Sequence, residues 1–158
     1  MDGWTLLPLF TSVAFWLLAS LLVGLLANQL PGRWLEGSGA CRAPARAQSP
    51  RRPPPDPVAI RIWKRWIPDA GDALPGGVRK ASLVRRDREA LRLLLIETRR
   101  AELVHWALLP AGLLTALWLP PPGVLLNLLF AVLFNIPCLL LQRWNRSRLL
   151  HCLARIRA

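Results

Sequence analysis

The chain has little of what soluble enzymes carry in sequence. Its 158 residues include three cysteines (Cys41, Cys138 and Cys152), two histidines and nine acidic residues. The cysteines are odd in number and widely spaced, so no disulfide framework is implied, and no CxxC or other metal-ligand spacing occurs. No metal and no bound cofactor is expected. The GxSxG, HExxH and P-loop patterns are absent. A His-x4-Asp acyltransferase box fails as well, because Pro110 stands five residues after His105. Helix-turn-helix, zinc-finger and RNP-type aromatic patterns are also missing, so the net charge of +12 does not point to nucleic acid.

Charge itself is missing from two long stretches. There is none from Gly3 to Gly32, and from Leu103 to Leu141 the only ionisable side chains are His105 and the Cys138 thiol. A bilayer core takes about 20 apolar residues per helix. Residues 4–30 supply one span. Asp2, the lack of a basic residue ahead of the apolar run and the lack of a small-residue cleavage site before Arg33 favour an uncleaved span over a secretory signal. The second stretch is divided by Pro120-Pro121-Pro122-Gly123, which cannot continue a helix but can form a short turn. It yields spans at 103–119 and 124–141. The expected fold is an all-α membrane protein with three transmembrane helices and a cytoplasmic loop carrying a short interfacial helix.

What charge there is has a one-sided distribution. Sixteen of the 21 Lys and Arg lie between Arg33 and Glu102, and the other five follow Leu141. The positive-inside bias places loop 33–102 and the basic tail 142–158 in the cytoplasm, with the N-terminus outside a multi-pass inner cell membrane. Trp4, Trp34, Trp106, Trp118 and Trp144 fall near span ends, where indoles favour the headgroup level. Trp16 lies mid-span and reads as packing.

Within the loop, residues 33–57 are expected to be a disordered linker. Its core, "EGSGACRAPARAQSPRRPPPD", is Pro- and Arg-rich with almost nothing large and apolar to bury. Residues 58–102 read as an amphipathic helical region that opens on the start signal Asp56-Pro57. Ile60, Ile62, Trp63, Trp66 and Ile67 fall opposite Arg61, Lys64 and Arg65. That pattern suits a helix lying in the membrane interface, or one packed on protein. Gly76-Gly77 before Arg79-Lys80 lacks P-loop spacing and reads as a turn ahead of a helix that Ser82 caps.

Two polar faces enter the membrane. Thr98, Glu102, His105 and Leu109 share one face of the second helix. Asn127, Ala131, Asn135, Cys138, Gln142 and Asn145 form a small-or-polar stripe on the third, of the kind found at helix–helix contacts. Antiparallel packing across the tight turn sets His105 level with Cys138, and Glu102 near Gln142, Arg143 and Asn145. A histidine one turn from a carboxylate suits general-base chemistry, with His105 as base and Glu102 as its orienting partner. Gln142, Asn145 and one of Arg99, Arg100, Arg143 or Arg146 are the groups available to hold an anion. The same residues also read as a structural network in a non-catalytic scaffold or anionic-lipid-binding protein.

The blocks "IETRRAELVHW" and "FAVLFNIPCLLLQRWNRSRL" resemble the glycosyl-4,4'-diaponeurosporenoate acyltransferases, small membrane proteins of staphyloxanthin-type carotenoid synthesis. The resemblance runs from about Ile60 to Arg155 and is strongest over Ile96–Trp106 and Asn135–Leu149. Trp144 stands where a Tyr is usual in the family, and Arg99 where a Lys occurs. The resemblance implies transfer of a fatty acyl group from acyl-CoA or acyl carrier protein to a sugar hydroxyl of a glycosylated carotenoid. Membrane lipids and other carotenoid-pathway enzymes are the implied partners. It assigns no catalytic residue.

Overall fold

The structure is a computed structural model that describes residues 6–37 and 88–157. The described residues are almost wholly helical and contain no strand. Four α-helices occur in chain order: α1 (Leu6–Asn28), α2 (Gly32–Gly37), α3 (Arg88–Ala111) and α4 (Pro121–Arg157), with a 3₁₀ segment (Gly112–Leu117) between α3 and α4. Cys41, Ser82 and the Ile60–Ile67 segment lie outside the described residues.

Among the described residues two helices, α1 and α4, are long and apolar enough to cross a membrane. At 1.5 Å per residue, the 23 residues of α1 extend about 34 Å against a hydrocarbon core of about 30 Å. The 37 residues of α4 reach about 55 Å, well beyond such a core. The helix therefore continues past Leu141, and residues 142–157 add four more turns to it. Residues 33–37, counted with the linker from sequence, belong to α2 instead. They are ordered because Leu35 is buried and Gly32 lies close against Ile96 of α3.

The turn between α3 and α4 is shorter than the prolines suggest. Pro121, Pro122 and Gly123 form the first turn of α4. The first helical positions need no N–H donor, and the proline ring already holds φ at a helical value. The Pro120 carbonyl accepts from the N–H of Gly123 at 2.9 Å and of Val124 at 3.1 Å, which starts the helix there. On the other side, Pro110 lies within the last turn of α3. Without an N–H it cannot bond the Trp106 carbonyl, and its ring crowds that oxygen. The chain tightens into the 3₁₀ segment one residue after α3 ends, and Thr115 Oγ1 donates to the Gly112 carbonyl at 2.7 Å. Gly112 brings this segment hard against α4: a Cβ there would lie 3.1 Å from Leu128 and 3.4 Å from the Asn127 carbonyl.

The α3–α4 seam is the core of the fold. Ala131 is fully buried, and Leu108, Asn127, Asn135, Leu139 and Arg146 are buried along the same seam. The stripe expected on the third helix thus faces protein at Asn127, Ala131 and Asn135. The opposite side of α4, including Leu125, Leu129, Leu133 and Phe134, is exposed, as are most leucines of α1.

Helix α1 is held by a polar contact as well as by rings. Trp16 does more than pack: its Nε1–H donates to Asn127 Oδ1 at 2.8 Å. Asn127 Nδ2 donates in turn to Ser12 Oγ at 3.2 Å and to the Gly123 carbonyl at 2.9 Å. Phe15 meets Trp118 edge-on, and Trp16 leans on Phe130, with centroids 5.3 and 5.2 Å apart. Interhelical hydrogen bonds in apolar surroundings are worth about 0.6 kcal/mol on average. The node therefore orients α1 more than it stabilises it. Trp144, expected at the headgroup level, is buried beneath the Arg148 guanidinium, 4.8 Å from the ring centroid.

Candidate functional site

The functional side chains expected from sequence converge at the end of the α3–α4 seam away from the turn, and they sort into two separate sets. The first is His105 with Asn135. His105 Nδ1 lies 2.9 Å from Asn135 Oδ1, while Asn135 Nδ2 donates to the Ala131 carbonyl at 2.9 Å. That second bond fixes which way the amide faces. Since only its oxygen is turned to the ring, Nδ1 must carry the proton, and Nε2 keeps its lone pair. The ring is therefore held in the tautomer that a general base needs, by an amide. The same role falls to Asn in Cys-His-Asn hydrolase sites.

The pairing differs from the one that counting along the sequence gives. Depth counted from the cytoplasmic ends of the two spans, Leu103 and Leu141, sets His105 roughly level with Cys138. In the structure the imidazole instead meets Asn135, three residues nearer the turn. Asn135 was visible on the polar stripe, but nothing in the periodicity singled it out as the partner of the histidine.

The second set is built on Glu102. Among the described residues no hydrogen bond joins Glu102 to His105. Its carboxylate instead accepts from Arg143 Nε at 2.8 Å and from Arg146 Nη1. Glu102 and Arg146 are both buried, with side chains 8% and 7% exposed. Burial by itself would raise the carboxyl pKa. The hydrogen bonds and positive charge of Arg143 and Arg146 outweigh that and hold it below the ordinary glutamate value. The imidazole's partner is Asn135 and not Glu102, because two guanidiniums from α4 outcompete a neutral imidazole for the carboxylate.

The remaining residues also find definite places. Arg99 Nη1 donates to the Leu35 carbonyl, and Arg100 donates to the Leu30 carbonyl at 3.2 Å and to Glu97 at 2.5 Å. Both arginines thus pin the end of α1 and the start of α2 to α3. Gln142 lies on α4 two turns beyond Asn135, and its Oε1 is buried with no hydrogen-bond partner among the described residues. Asn145 is half-buried. Among the described residues, no group of His, Cys, Asp and Glu is placed to hold a metal ion.

These observations define a chain whose described residues are almost wholly helical, with two membrane-length helices and a His–Asn pair near an Arg–Glu–Arg cluster in which Glu102 and Arg146 are buried and Arg143 is exposed. The sequence model of the glycosyl-4,4'-diaponeurosporenoate acyltransferase family matches residues 57–155, and the chain belongs to that family. A glycosyl-4,4'-diaponeurosporenoate acyltransferase of Staphylococcus haemolyticus (strain JCSC1435) is 32% identical over 93 residues, covering 58% of this chain and 53% of that protein. One from Staphylococcus aureus (strain USA300) is 31% identical over 91 residues, covering 57% and 54%. The chain thus spans about half the length of the curated relatives it matches. No solved structure matches it.

Proposed function

We propose that the chain is a membrane O-acyltransferase that esterifies a sugar hydroxyl of a glycosylated carotenoid, with acyl-CoA or acyl carrier protein as donor. The observation that carries this reading is the His105–Asn135 pair, which leaves Nε2 as a proton acceptor. The relatives' names supply the reaction class. In the proposed step, Nε2 takes the sugar hydroxyl proton as the oxygen attacks the thioester carbonyl. Asn135 Oδ1 supports the imidazolium that forms. Gln142 and Asn145 lie about 10 and 15 Å along α4 from Asn135, so they are proposed as anion-holding groups at the level of Arg143 and not as donors beside His105. Collapse of the tetrahedral intermediate breaks the C–S bond, and the leaving thiolate regains the proton from Nε2.

The proposed topology has three spans, the second made of the end of α3 and the 3₁₀ segment. From Leu103 that path rises about 25 Å, since six residues climb at about 2.0 Å each instead of 1.5 Å. Loop 33–102 and the end of α4 then lie in the cytoplasm of a multi-pass cell membrane, and the exposed leucines of α1 and α4 face lipid. Single cysteines placed at Ser49 and Ser147, in a background without the native three, are expected to resist an impermeant maleimide in intact cells and react after lysis. Labelling of either site before lysis sinks this orientation.

The function itself is tested by pigment and lipid profiling in a host that makes the glycosylated carotenoid. Cells with the gene are expected to accumulate the fatty acyl ester, and cells without it the free glycoside. Identical profiles would remove the acyltransferase reading. Other carotenoid-pathway enzymes are proposed neighbours in the membrane, because the acceptor is too apolar to leave it.

A further inference from the structure

Four arginines gather at the polar end of the seam, and three of them turn terminal nitrogens to partners within the fold. Arg99 and Arg100 donate to backbone carbonyls of the α1–α2 segment, and Arg100 also pairs with Glu97. Arg146 is buried against Glu102. Arg143 is different. Its side chain is 53% exposed, and only Nε is engaged, by Glu102 Oε1 at 2.8 Å. Its guanidinium carbon sits over the Trp106 ring, 5.7 Å from the centroid. A carboxylate at one edge and an indole beneath one face fix the plane of the group. The two terminal nitrogens, which have no hydrogen-bond partner among the described residues, are left as an outward fork.

Such a fork is matched to two oxygens of a phosphate. Its charge is not cancelled by Glu102, because Arg146 shares that carboxylate. One negative charge thus faces two positive ones, and the excess falls on the exposed member. The position also suits the chemistry. Eight residues of α4 separate Asn135 from Arg143, about 12 Å along the axis, a distance an extended pantetheine arm covers. Both classes of acyl thioester donor end that arm in a phosphate.

We propose that Arg143 is a phosphate-binding residue, its fork holding the phosphate of the acyl donor's pantetheine arm while the thioester reaches His105. The assignment to a donor rests on the acyl-transfer reading. A phosphate of a lipid headgroup would satisfy the same fork, and the test separates the two sources.

The test uses the full chain in phosphate-free maltoside micelles, with or without added phosphatidylglycerol, and measures binding of 4'-phosphopantetheine and of pantetheine. Wild type is expected to prefer the phosphorylated arm by about tenfold, as charge-assisted hydrogen bonds allow, with and without the added lipid. Arg143→Lys keeps the charge but loses the fork, and it should erase most of that preference. Trp106→Leu should do the same by freeing the guanidinium, whereas Trp106→Phe should retain it. A preference equal to wild type in Arg143→Lys, or none in wild type, overturns the site. A preference that disappears only when phosphatidylglycerol is present gives the fork to a lipid phosphate and overturns the donor assignment. Phosphopantetheine binding without ester formation would remove the acyl-transfer reading and leave the phosphate site. Ester formation without phosphate preference would remove the site alone.

Discussion

His105→Ala is expected to lower ester formation by about 10²–10⁴-fold, the usual worth of a positioned general base, while the protein inserts and folds normally. The ring makes one hydrogen bond, to Asn135, so its removal takes little from the packing of α3 on α4. What disappears is the acceptor for the sugar hydroxyl proton. Asn135→Ala should cost less, because the imidazole remains and only its tautomer and orientation are released. The measurement is ester formed per mole of detergent-extracted protein that runs as a single species on size exclusion. Turnover of His105→Ala near wild type in that assay would make the imidazole a packing group and move the chemistry elsewhere.

Glu102→Gln is expected to act first on stability and only through donor binding on activity. The amide leaves the buried Arg146 guanidinium without its carboxylate, and breaking one side of a buried ion pair typically costs about 3–5 kcal/mol. Against a total stability of about 5–15 kcal/mol for ordinary domains, that is a large loss. Thermal unfolding in detergent should show a clear fall in midpoint. Turnover per folded molecule at saturating acyl donor should be preserved, since Glu102 does not touch His105, whereas KM for the donor should rise because Glu102 holds Arg143. Pairing Glu102→Leu with Arg146→Met should recover most of the loss, because apolar replacement of a whole buried ion pair is often neutral, and the cycle of single and double variants measures the coupling. An unchanged midpoint in Glu102→Gln would show that the cluster contributes nothing to the fold. The pH dependence has a definite sign. The folded carboxyl titrates below its ordinary value of 4.5. Its stabilisation is therefore complete above that pH and is lost as the pH falls through the lowered folded value.

These two variants separate what the sequence had joined. Glu102 and His105 lie one turn apart on the same helix face, and that spacing is all a single strand of sequence can offer. Whether they bond depends on what the facing helix brings, and α4 brings two arginines to one and an amide to the other. The partner of His105 turned on the axial register of α3 against α4. Depth counted along each span puts Cys138 at its level, and the structure brings Asn135 to it, three residues away on the same stripe. Trp16 reads from sequence as packing alone for a related reason. An indole among leucines has no sequence signal of a hydrogen bond, and its acceptor, Asn127, lies 111 residues away.

The sequence by itself determined that the first and last apolar segments can be helices of membrane length, where the polar faces lie and which residues gather at the charged end. Those properties follow from hydrophobic run length and the 3.6-residue period, which are local and additive. The tertiary structure alone decided the pairings: Asn135 and not Glu102 for His105, two arginines for Glu102, backbone carbonyls for Arg99 and Arg100, and an open fork for Arg143. A pairing depends on the axial register of two helices to within one turn and on competition among all the partners in reach. Neither quantity is a property of any one segment.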